Sequence, residues 1–175
     1  MVLGNMKLIL AIWKTVRHLS SGKSINVVAA IITREKDGQP EIFATQRGYG
    51  PYKDWWEFPG GKIEEGENPE EALVREIEEE LGVKIAVDKY LCTVEYDYPE
   101  FHLSMDTYFS HVEDGEIQLL EHEAAKWLSI DDLYSVNWLP ADIEVLEGIK
   151  KALEKKGQPR IHNPLPSQEI RGEKL

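Results

Sequence analysis

The sequence predicts an α/β (α+β) fold, an α/β/α sandwich in which a mixed β-sheet lies between α-helices. Residues 25–33 form a nearly continuous apolar run rich in β-branched residues, which is typical of a buried strand. Residues 69–81 have helical periodicity, with Pro69 in the first turn and Gly82 just past the end. Strands of mixed length lie before and after this helix, and a second helix follows. This order of elements favours helices on both faces of one sheet.

The remaining elements follow from turn signals and apolar patterning. Asp37-Gly38 marks a turn, and Gly48, Gly50 and Pro51 mark a loop over residues 47–54. Ser129 is expected to cap a short helical turn over residues 131–134, because its hydroxyl can accept from free amides there. The other predicted elements are strands at 41–46, 84–96, 102–112 and 124–128, a turn around Pro99, and a last helix at about 140–155.

The bulk composition excludes several classes of function. Lys and Arg total 20 against 32 Asp and Glu, so the formal charge is −12, which argues against a nucleic-acid partner. Cys92 is the only cysteine, so an intramolecular disulfide is impossible and a reducing compartment fits. No run approaches the ~20 apolar residues that span a bilayer. We therefore expect a cytoplasmic protein with no membrane partner, either a monomer or a homodimer.

Three regions are predicted along the chain. Residues 1–23 form an N-terminal extension in which apolar residues recur near helical spacing. Residues 24–156 form the globular domain. Residues 157–175 contain three prolines and few large apolar residues, which is typical of a mobile C-terminal tail.

The helix over residues 69–81 has an unusual acidic face. Glu76, Glu79 and Glu80 fall within roughly a quarter-turn of its circumference. Crowded carboxylates repel each other, and a divalent cation such as Mg²⁺ neutralises them with oxygen ligands. Arg75 can hold the loop carboxylate of Glu67. From composition alone, a solvated acidic helix explains the same pattern equally well.

Residues 61–83, GKIEEGENPEEALVREIEEELGV, decide between these readings. They resemble the Nudix box, G-x5-E-x7-R-E-U-x-E-E-x-G-U, where U is a bulky aliphatic residue. The fixed positions are filled by Gly61, Glu67, Arg75, Glu76, Ile77, Glu79, Glu80, Gly82 and Val83. The resemblance implies the Nudix fold and hydrolysis of a nucleoside diphosphate linked to another group. It also implies Mg²⁺ as cofactor, which Mn²⁺ can replace.

The box resemblance also implies roles for its residues. Glu76, Glu79 and Glu80 look like the metal-binding glutamates, with Glu76 and Glu79 also catalytic. Gly61 resembles the glycine whose backbone carbonyl binds metal. Glu67 and Arg75 look like the supporting pair.

Residues 25–152 as a whole are similar to the MutT type of this family. The similarity is carried by VVAAIITR, WWEFPGGKIEEGE, EHEAAKWLSIDDL and LPADIEVL. It implies hydrolysis of (deoxy)nucleoside triphosphates, including oxidised guanine nucleotides such as 8-oxo-dGTP and cytidine nucleotides, to the monophosphate and pyrophosphate. The alternatives are another nucleoside diphosphate derivative (a nucleotide sugar, a dinucleoside polyphosphate or an RNA cap) and a non-catalytic nucleotide-binding module.

Several positions outside the metal-binding helix acquire roles from the same resemblance. Glu121 resembles a loop glutamate that binds metal or activates water; its alternative is an exposed loop carboxylate. Arg47 resembles an arginine that meets the triphosphate, and its alternative is a surface arginine. Lys62 is a further substrate-binding candidate. Either Glu76 or Glu121 is expected to act as the general base.

Asp142 resembles the position that holds an Asn or Asp against the nucleobase. An ionised Asp only accepts hydrogen bonds, which suits the amine of cytosine, whereas a protonated carboxyl suits a purine. The alternative for Asp142 is a helix N-cap. Phe58 and Trp138 are candidates to stack on the base, with core packing as the alternative for both. The preferred base stays open.

Overall fold

The computed structural model describes residues 23–157. It contains seven strands and two helices within that range. The strands are β1 (Ser24–Lys36), β2 (Gln39–Gln46), β3 (Trp56–Glu57), β4 (Gly60–Lys62), β5 (Lys84–Tyr98), β6 (Phe101–Asp114) and β7 (Ala124–Ser129). The helices are α1 (Pro69–Leu81) and α2 (Pro140–Gly157).

The strands form one mixed sheet, with β1 at its centre. The main path runs β3-β2-β1-β6-β5, while β4 pairs with β1 and β7 pairs with β2. β1 is parallel to β6 and antiparallel to β2 and β4. Because the middle of β1 is covered on both sides, its residues 27–32 are continuously apolar instead of alternating. The predicted buried strand is confirmed.

The two helices pack on opposite faces of this sheet. Successive side chains of a strand point to opposite faces. Val28, Ala30 and Ile32 pack in one core cluster with the buried face of α1, whereas Ala29 and Ile31 pack in the other with α2. The predicted sandwich of a mixed sheet between helices is therefore confirmed.

Local signals set the ends of α1. The side chain of Asn68 accepts from the backbone N–H of Glu70 at 3.0 Å, which satisfies one free amide at the N-terminus. Pro69 occupies the first turn, and Gly82 ends the helix with a left-handed φ of 66°. Leu73, Ile77 and Leu81 are fully buried against the sheet. The side chains of Glu76 and Glu80 lie on the adjoining face of the helix, next to Gly60 and Gly61 of β4.

Several predicted boundaries differ from the structure by a few residues. β5 extends to Tyr98 and β6 starts at Phe101. The predicted turn around Pro99 is therefore tight, and the hairpin is longer than expected. β3 and β4 were not predicted as separate strands, because two or three residues carry no periodicity of their own. The segment at residues 131–134 is a turn, in which Ser129 Oγ accepts from the Asp132 N–H at 3.2 Å.

The predicted extension (1–23) and tail (157–175) lie outside the described residues except for their innermost positions. No helix within residues 23–157 is both long and apolar enough to cross a membrane.

Candidate active site

A cavity of about 970 Å³ opens between the sheet and both helices. Its floor is the start of β1 and the segment that contains β3 and β4. Its sides are α1, the β5–β6 hairpin, the loop after β2 and the start of α2. The cavity has an acidic end beside α1 and an aromatic end beside α2. Both ends contain residues that the sequence singled out.

Two glycines bring the backbone of β4 against α1 and β1 at the acidic end. A Cβ at Gly61 would overlap the carboxylate of Glu76. Gly60 has a φ of 152°, and a Cβ there would overlap the carbonyl oxygen of Val28. Glycine is required at Gly60, because the overlap there is with backbone and the φ is positive, whereas a Cβ at Gly61 would force the Glu76 carboxylate to move. The Glu76 carboxylate therefore lies directly on the Gly61 backbone, which brings two predicted metal-binding groups together.

Arg75 ties the loop before α1 to the helix. Its Nε and Nη2 donate to the two carboxylate oxygens of Glu67, each at 2.8 Å, and Nη1 donates to Glu76 Oε1 at 2.8 Å. Nη2 also donates to the Lys62 carbonyl at 3.0 Å. Hydrogen bonding from Arg75 lowers the pKa of Glu67 to about 2. Arg75 thus fixes Glu76 and the loop in one arrangement.

Glu80 is the buried carboxyl of the acidic end. Its Oε2 accepts from the Gly60 N–H at 3.0 Å. Burial, with repulsion from Glu57 and Glu76, raises the pKa of Glu80 well above its ordinary value. Burial likewise raises the pKa of Glu76 and of Glu121, which lines the same cavity. Oxygen donors with this excess of negative charge match what a hard divalent cation requires.

Glu79 lies at the outer edge of this cluster. Its side chain is half exposed, and its nearest ion-pair partner is Arg75 Nη1, at 3.7 Å from Oε1. Across residues 23–157, no three His, Cys, Asp or Glu side chains lie together at metal-ligating distances. Ligation of one ion by several glutamates therefore requires side chains to turn towards each other. The exposure of Glu79 leaves room for that rotation.

Arg47 and Glu57 form an ion pair between the two ends of the cavity. Arg47 Nη1 donates to Glu57 Oε2 at 2.6 Å, and both side chains line the cavity. Sequence reasoning named Arg47 but missed Glu57. A single acidic residue between aromatic ones, in Trp55-Trp56-Glu57-Phe58, was the available signal. Lys62 also lines the cavity, and burial lowers its pKa.

Asp142 and Phe58 form the aromatic end. Asp142 Oδ1 accepts from the Phe58 N–H at 2.8 Å, and burial raises the pKa of Asp142 to about 8. The N-cap interpretation of Asp142 is wrong, because α2 begins two residues earlier at Pro140. Trp138 is in the core, where its ring centroid lies 4.6 Å from that of Phe58, and it does not line the cavity.

The β5–β6 hairpin supplies a wall that the sequence did not predict. Tyr98, Leu103 and Met105 line the cavity, and the Tyr98 ring stacks on Phe101 with centroids 5.0 Å apart. These residues face the cavity only because β6 lies beside β1 in the sheet. The aromatic end is consequently a largely apolar pocket with one buried carboxyl.

Comparison with known proteins agrees with this geometry. The family model described as NUDIX domain matches residues 23–148, which is more than half of the chain. The chain is 37% identical over 127 residues to a CTP pyrophosphohydrolase of Escherichia coli, covering 71% of this chain and 90% of that protein. It is 32% identical over 130 residues to an 8-oxo-dGTP diphosphatase of the same organism, covering 74% of this chain and 98% of that protein.

A solved structure shows the same family relationship. The crystal structure of a MutT NUDIX hydrolase from Burkholderia pseudomallei superposes with a TM-score of 0.63 at 32% identity, covering 73% of this chain and 99% of that one. The chain therefore belongs to the Nudix family. It is an enzyme of the MutT type, a Nudix pyrophosphohydrolase, as the sequence predicted.

Proposed function

We propose that this enzyme hydrolyses (deoxy)nucleoside triphosphates, oxidised or otherwise modified ones included, to the monophosphate and pyrophosphate with Mg²⁺ as cofactor. The observation that carries the proposal is one cavity with box glutamates at one end and a buried carboxyl in an aromatic pocket at the other. A nucleoside triphosphate is divided in the same way, because its polyphosphate chain is charged and its base is flat and largely apolar. The activities in the names of the two Escherichia coli relatives support the same class of substrate.

The residues proposed to hold the metal are Glu76, Glu79, Glu80, Glu121 and the carbonyl of Gly61. The Glu76 carboxylate already lies on the Gly61 backbone, and Glu80 is buried among other carboxylates. When bound, divalent ions neutralise charge on the phosphate oxygens and lower the pKa of an attacking water. Either Glu76 or Glu121 takes the proton from that water, since both line the cavity. The Glu67–Arg75 pair holds the loop and Glu76 in place.

Two cationic side chains are proposed to bind the phosphates. Arg47 lines the cavity between its two ends, and Lys62 lies on β4 next to Gly61. Their positive charge offsets the phosphate oxygens, and an arginine can donate two parallel hydrogen bonds to them. The polyphosphate thus lies along the floor of the cavity, from Arg47 towards α1.

Asp142 and Phe58 are proposed to bind the base. Oδ1 of Asp142 is already occupied by the Phe58 N–H, so Oδ2 is the oxygen available to a ligand. With a pKa of about 8, the buried carboxyl is neutral at pH 7 and Oδ2 carries a proton. A neutral carboxyl donates to a ring nitrogen or a carbonyl oxygen of the base, and an ionised one accepts from an amine. Phe58 contributes apolar contact in the same pocket.

A substrate panel tests the proposed substrate class. We expect pyrophosphate release from at least one of dCTP, CTP, dGTP and 8-oxo-dGTP, ranked by kcat/KM. Nucleotide sugars, dinucleoside polyphosphates and a cap analogue form the comparison set. Turnover confined to that set would reject the proposal, and tight binding with no turnover of either set would indicate a nucleotide-binding module.

The position of attack has a separate test. We expect water to attack the β-phosphorus, so hydrolysis in ¹⁸O-water places the label in pyrophosphate. Label in the nucleoside monophosphate would instead mean attack at the α-phosphorus.

A further inference from the structure

Glu57 is a largely buried carboxyl group to which the proposed hydrolysis assigns no role. It lies on the two-residue strand β3, where Thr45 Oγ1 donates to its carbonyl at 3.2 Å and β2 pairs with its backbone. Its side chain is only 15% exposed. One carboxylate oxygen accepts from Arg47 Nη1 at 2.6 Å, and the other lies 3.5 Å from His122 Nε2. The backbone of Glu57 is thus fixed, and its carboxylate joins two side chains from different loops.

Arg47 has a fixed backbone but few restraints on its side chain. Its N–H donates to the Trp55 carbonyl at 3.0 Å, and its own carbonyl accepts from the Asp54 N–H at 2.8 Å. Within residues 23–157, Glu57 is the single ion-pair partner of its guanidinium. The Arg47 Nε atom is buried and has no hydrogen-bond partner in the described part of the chain. A buried donor without a partner costs free energy, so this edge of the guanidinium is available to an acceptor brought by a ligand.

Other carboxylates line the same recess as Arg47. A recess of about 70 Å³ beside the main cavity is lined by Arg47, Glu57, Glu80, Glu121 and His122, among others. Within residues 23–157, neither Glu80 nor Glu121 forms an ion pair with a lysine or arginine, and both are proposed metal ligands. An arginine freed from Glu57 would pair with one of them, because partly buried carboxylates attract any nearby cation. That pairing would remove Arg47 from the phosphates and block a metal ligand.

We propose that Glu57 is a positioning residue for hydrolysis, which acts through Arg47 by holding its guanidinium towards the phosphate chain and away from Glu80 and Glu121. The inference rests on the proposed function, because it assumes that the phosphates lie beside Arg47. It assigns Glu57 no contact with the reacting atoms. His122 has a secondary part, since it lies against the second oxygen of the same carboxylate.

The test is Glu57→Gln in the full chain, assayed with the best nucleotide of the panel. Losing a charged hydrogen bond of this kind removes about 1.5–3 kcal/mol, so we expect KM to rise about 10- to 100-fold. The Mg²⁺ concentration at half-maximal rate is expected to rise as well, because Arg47 then competes at Glu80 and Glu121. The matched control is Glu41→Gln. It breaks the 2.6 Å ion pair between Glu41 on β2 and Arg34 on β1, which lies outside the cavity. The KM of the Glu41→Gln variant is expected to stay unchanged.

A double-mutant cycle tests whether Glu57 acts through Arg47. Glu57→Gln combined with Arg47→Gln is expected to have the KM of Arg47→Gln alone, because the second change removes nothing further. Additive effects, or an unchanged KM in Glu57→Gln, would overturn the inference. Glu57→Asp keeps the charge and shortens its reach; it is expected to raise KM less, and it replaces Glu57→Gln in the cycle if that variant does not fold. A wild-type enzyme inactive on the whole panel would instead refute the proposed function.

Discussion

Two buried carboxyl groups face the same cavity from opposite ends, and their surroundings differ. Glu80 accepts from one backbone N–H and is repelled by Glu57, Glu76 and Glu121. Asp142 also accepts from one backbone N–H, but its one repelling carboxylate, Glu57, is offset by Arg47. Burial raises the pKa of both groups.

The same functional group, a carboxyl, thus has different surroundings at the two ends of the cavity, and these suit different ligands. At the acidic end several carboxylates line the same part of the cavity and repel each other, and a divalent cation would offset that repulsion. At the aromatic end Arg47 offsets the repulsion of Asp142 by Glu57, and a single proton removes the charge of the Asp142 carboxyl. The cavity therefore favours cations at one end and a neutral, hydrogen-bonding base at the other. Substitutions at each end of the cavity test this division, and the largest effect is expected at Glu80.

Glu80→Gln should lower activity while raising the stability of the metal-free protein. Removing this proposed metal ligand is expected to lower kcat/KM about 10³-fold or more, because a bound metal supplies several kcal/mol of transition-state stabilisation. The same change removes repulsion at a buried site, so the thermal midpoint without metal is expected to rise. Steady-state kinetics and calorimetric melting measure the two effects. Glu78→Gln, on the exposed face of α1, is the control, and equal activity of both variants would contradict the account.

Glu67→Gln should weaken the acidic end indirectly. It removes a carboxylate that holds Arg75 through two 2.8 Å hydrogen bonds, so Glu76 loses its fixed orientation. We expect kcat/KM to fall about 10- to 100-fold, as for other residues that orient metal ligands. Glu71→Gln, exposed in the first turn of α1, serves as the reference. Full activity at limiting Mg²⁺ would show that the pair has no supporting role.

The Glu67–Arg75 pair also predicts a pH dependence of stability. The pKa of Glu67 is lowered from 4.5 to about 2, so the folded state binds fewer protons than the unfolded state in that interval. Its stabilising contribution is present above about pH 4.5 and is lost as pH falls towards 2. The difference in urea midpoint between wild type and Glu67→Gln should therefore vanish across this window. A difference that persists unchanged at pH 2 would argue against the ion pair.

Asp142→Asn should remove a pH dependence at the aromatic end. The pKa of Asp142 is raised from 3.8 to about 8, so the folded state keeps a proton that the unfolded state loses. Wild-type stability should fall as pH rises from about 4 to 8 and then level off. Asn keeps a donor and an acceptor without titrating, so the variant should gain a few kcal/mol over wild type by pH 8. Parallel stability curves for the two proteins would contradict this.

The smallest effect is expected from Tyr98→Phe. The Tyr98 hydroxyl accepts from the Ala141 N–H at 3.4 Å, a long and weak hydrogen bond. Its loss is expected to cost less than about 1 kcal/mol and to leave KM within about twofold, since the ring still lines the cavity. Tyr96→Phe is the neighbouring control. A tenfold rise in KM in Tyr98→Phe alone would mean that this hydroxyl binds the substrate.

The acidic end could be predicted from the sequence because its determinants are close together along the chain. Helix α1, its capping glycine and the spacing of Glu76, Glu79 and Glu80 follow from residues within one segment. The aromatic end could not be predicted in the same way. Asp142 meets Phe58 across 84 positions, and Tyr98 reaches the cavity only through the pairing of β5, β6 and β1. Glu57 lies on a strand too short to have a recognisable pattern.

The central claim is that the clustered glutamates of α1 hold divalent cations, and calorimetric titration tests it most directly. Mn²⁺ or Mg²⁺ is titrated into the full chain saturated with a non-hydrolysable triphosphate analogue, with Glu76→Gln/Glu79→Gln/Glu80→Gln alongside. The account predicts saturable uptake by the wild type and loss of that uptake in the triple variant. Equal uptake by both proteins, or none by the wild type, would contradict it.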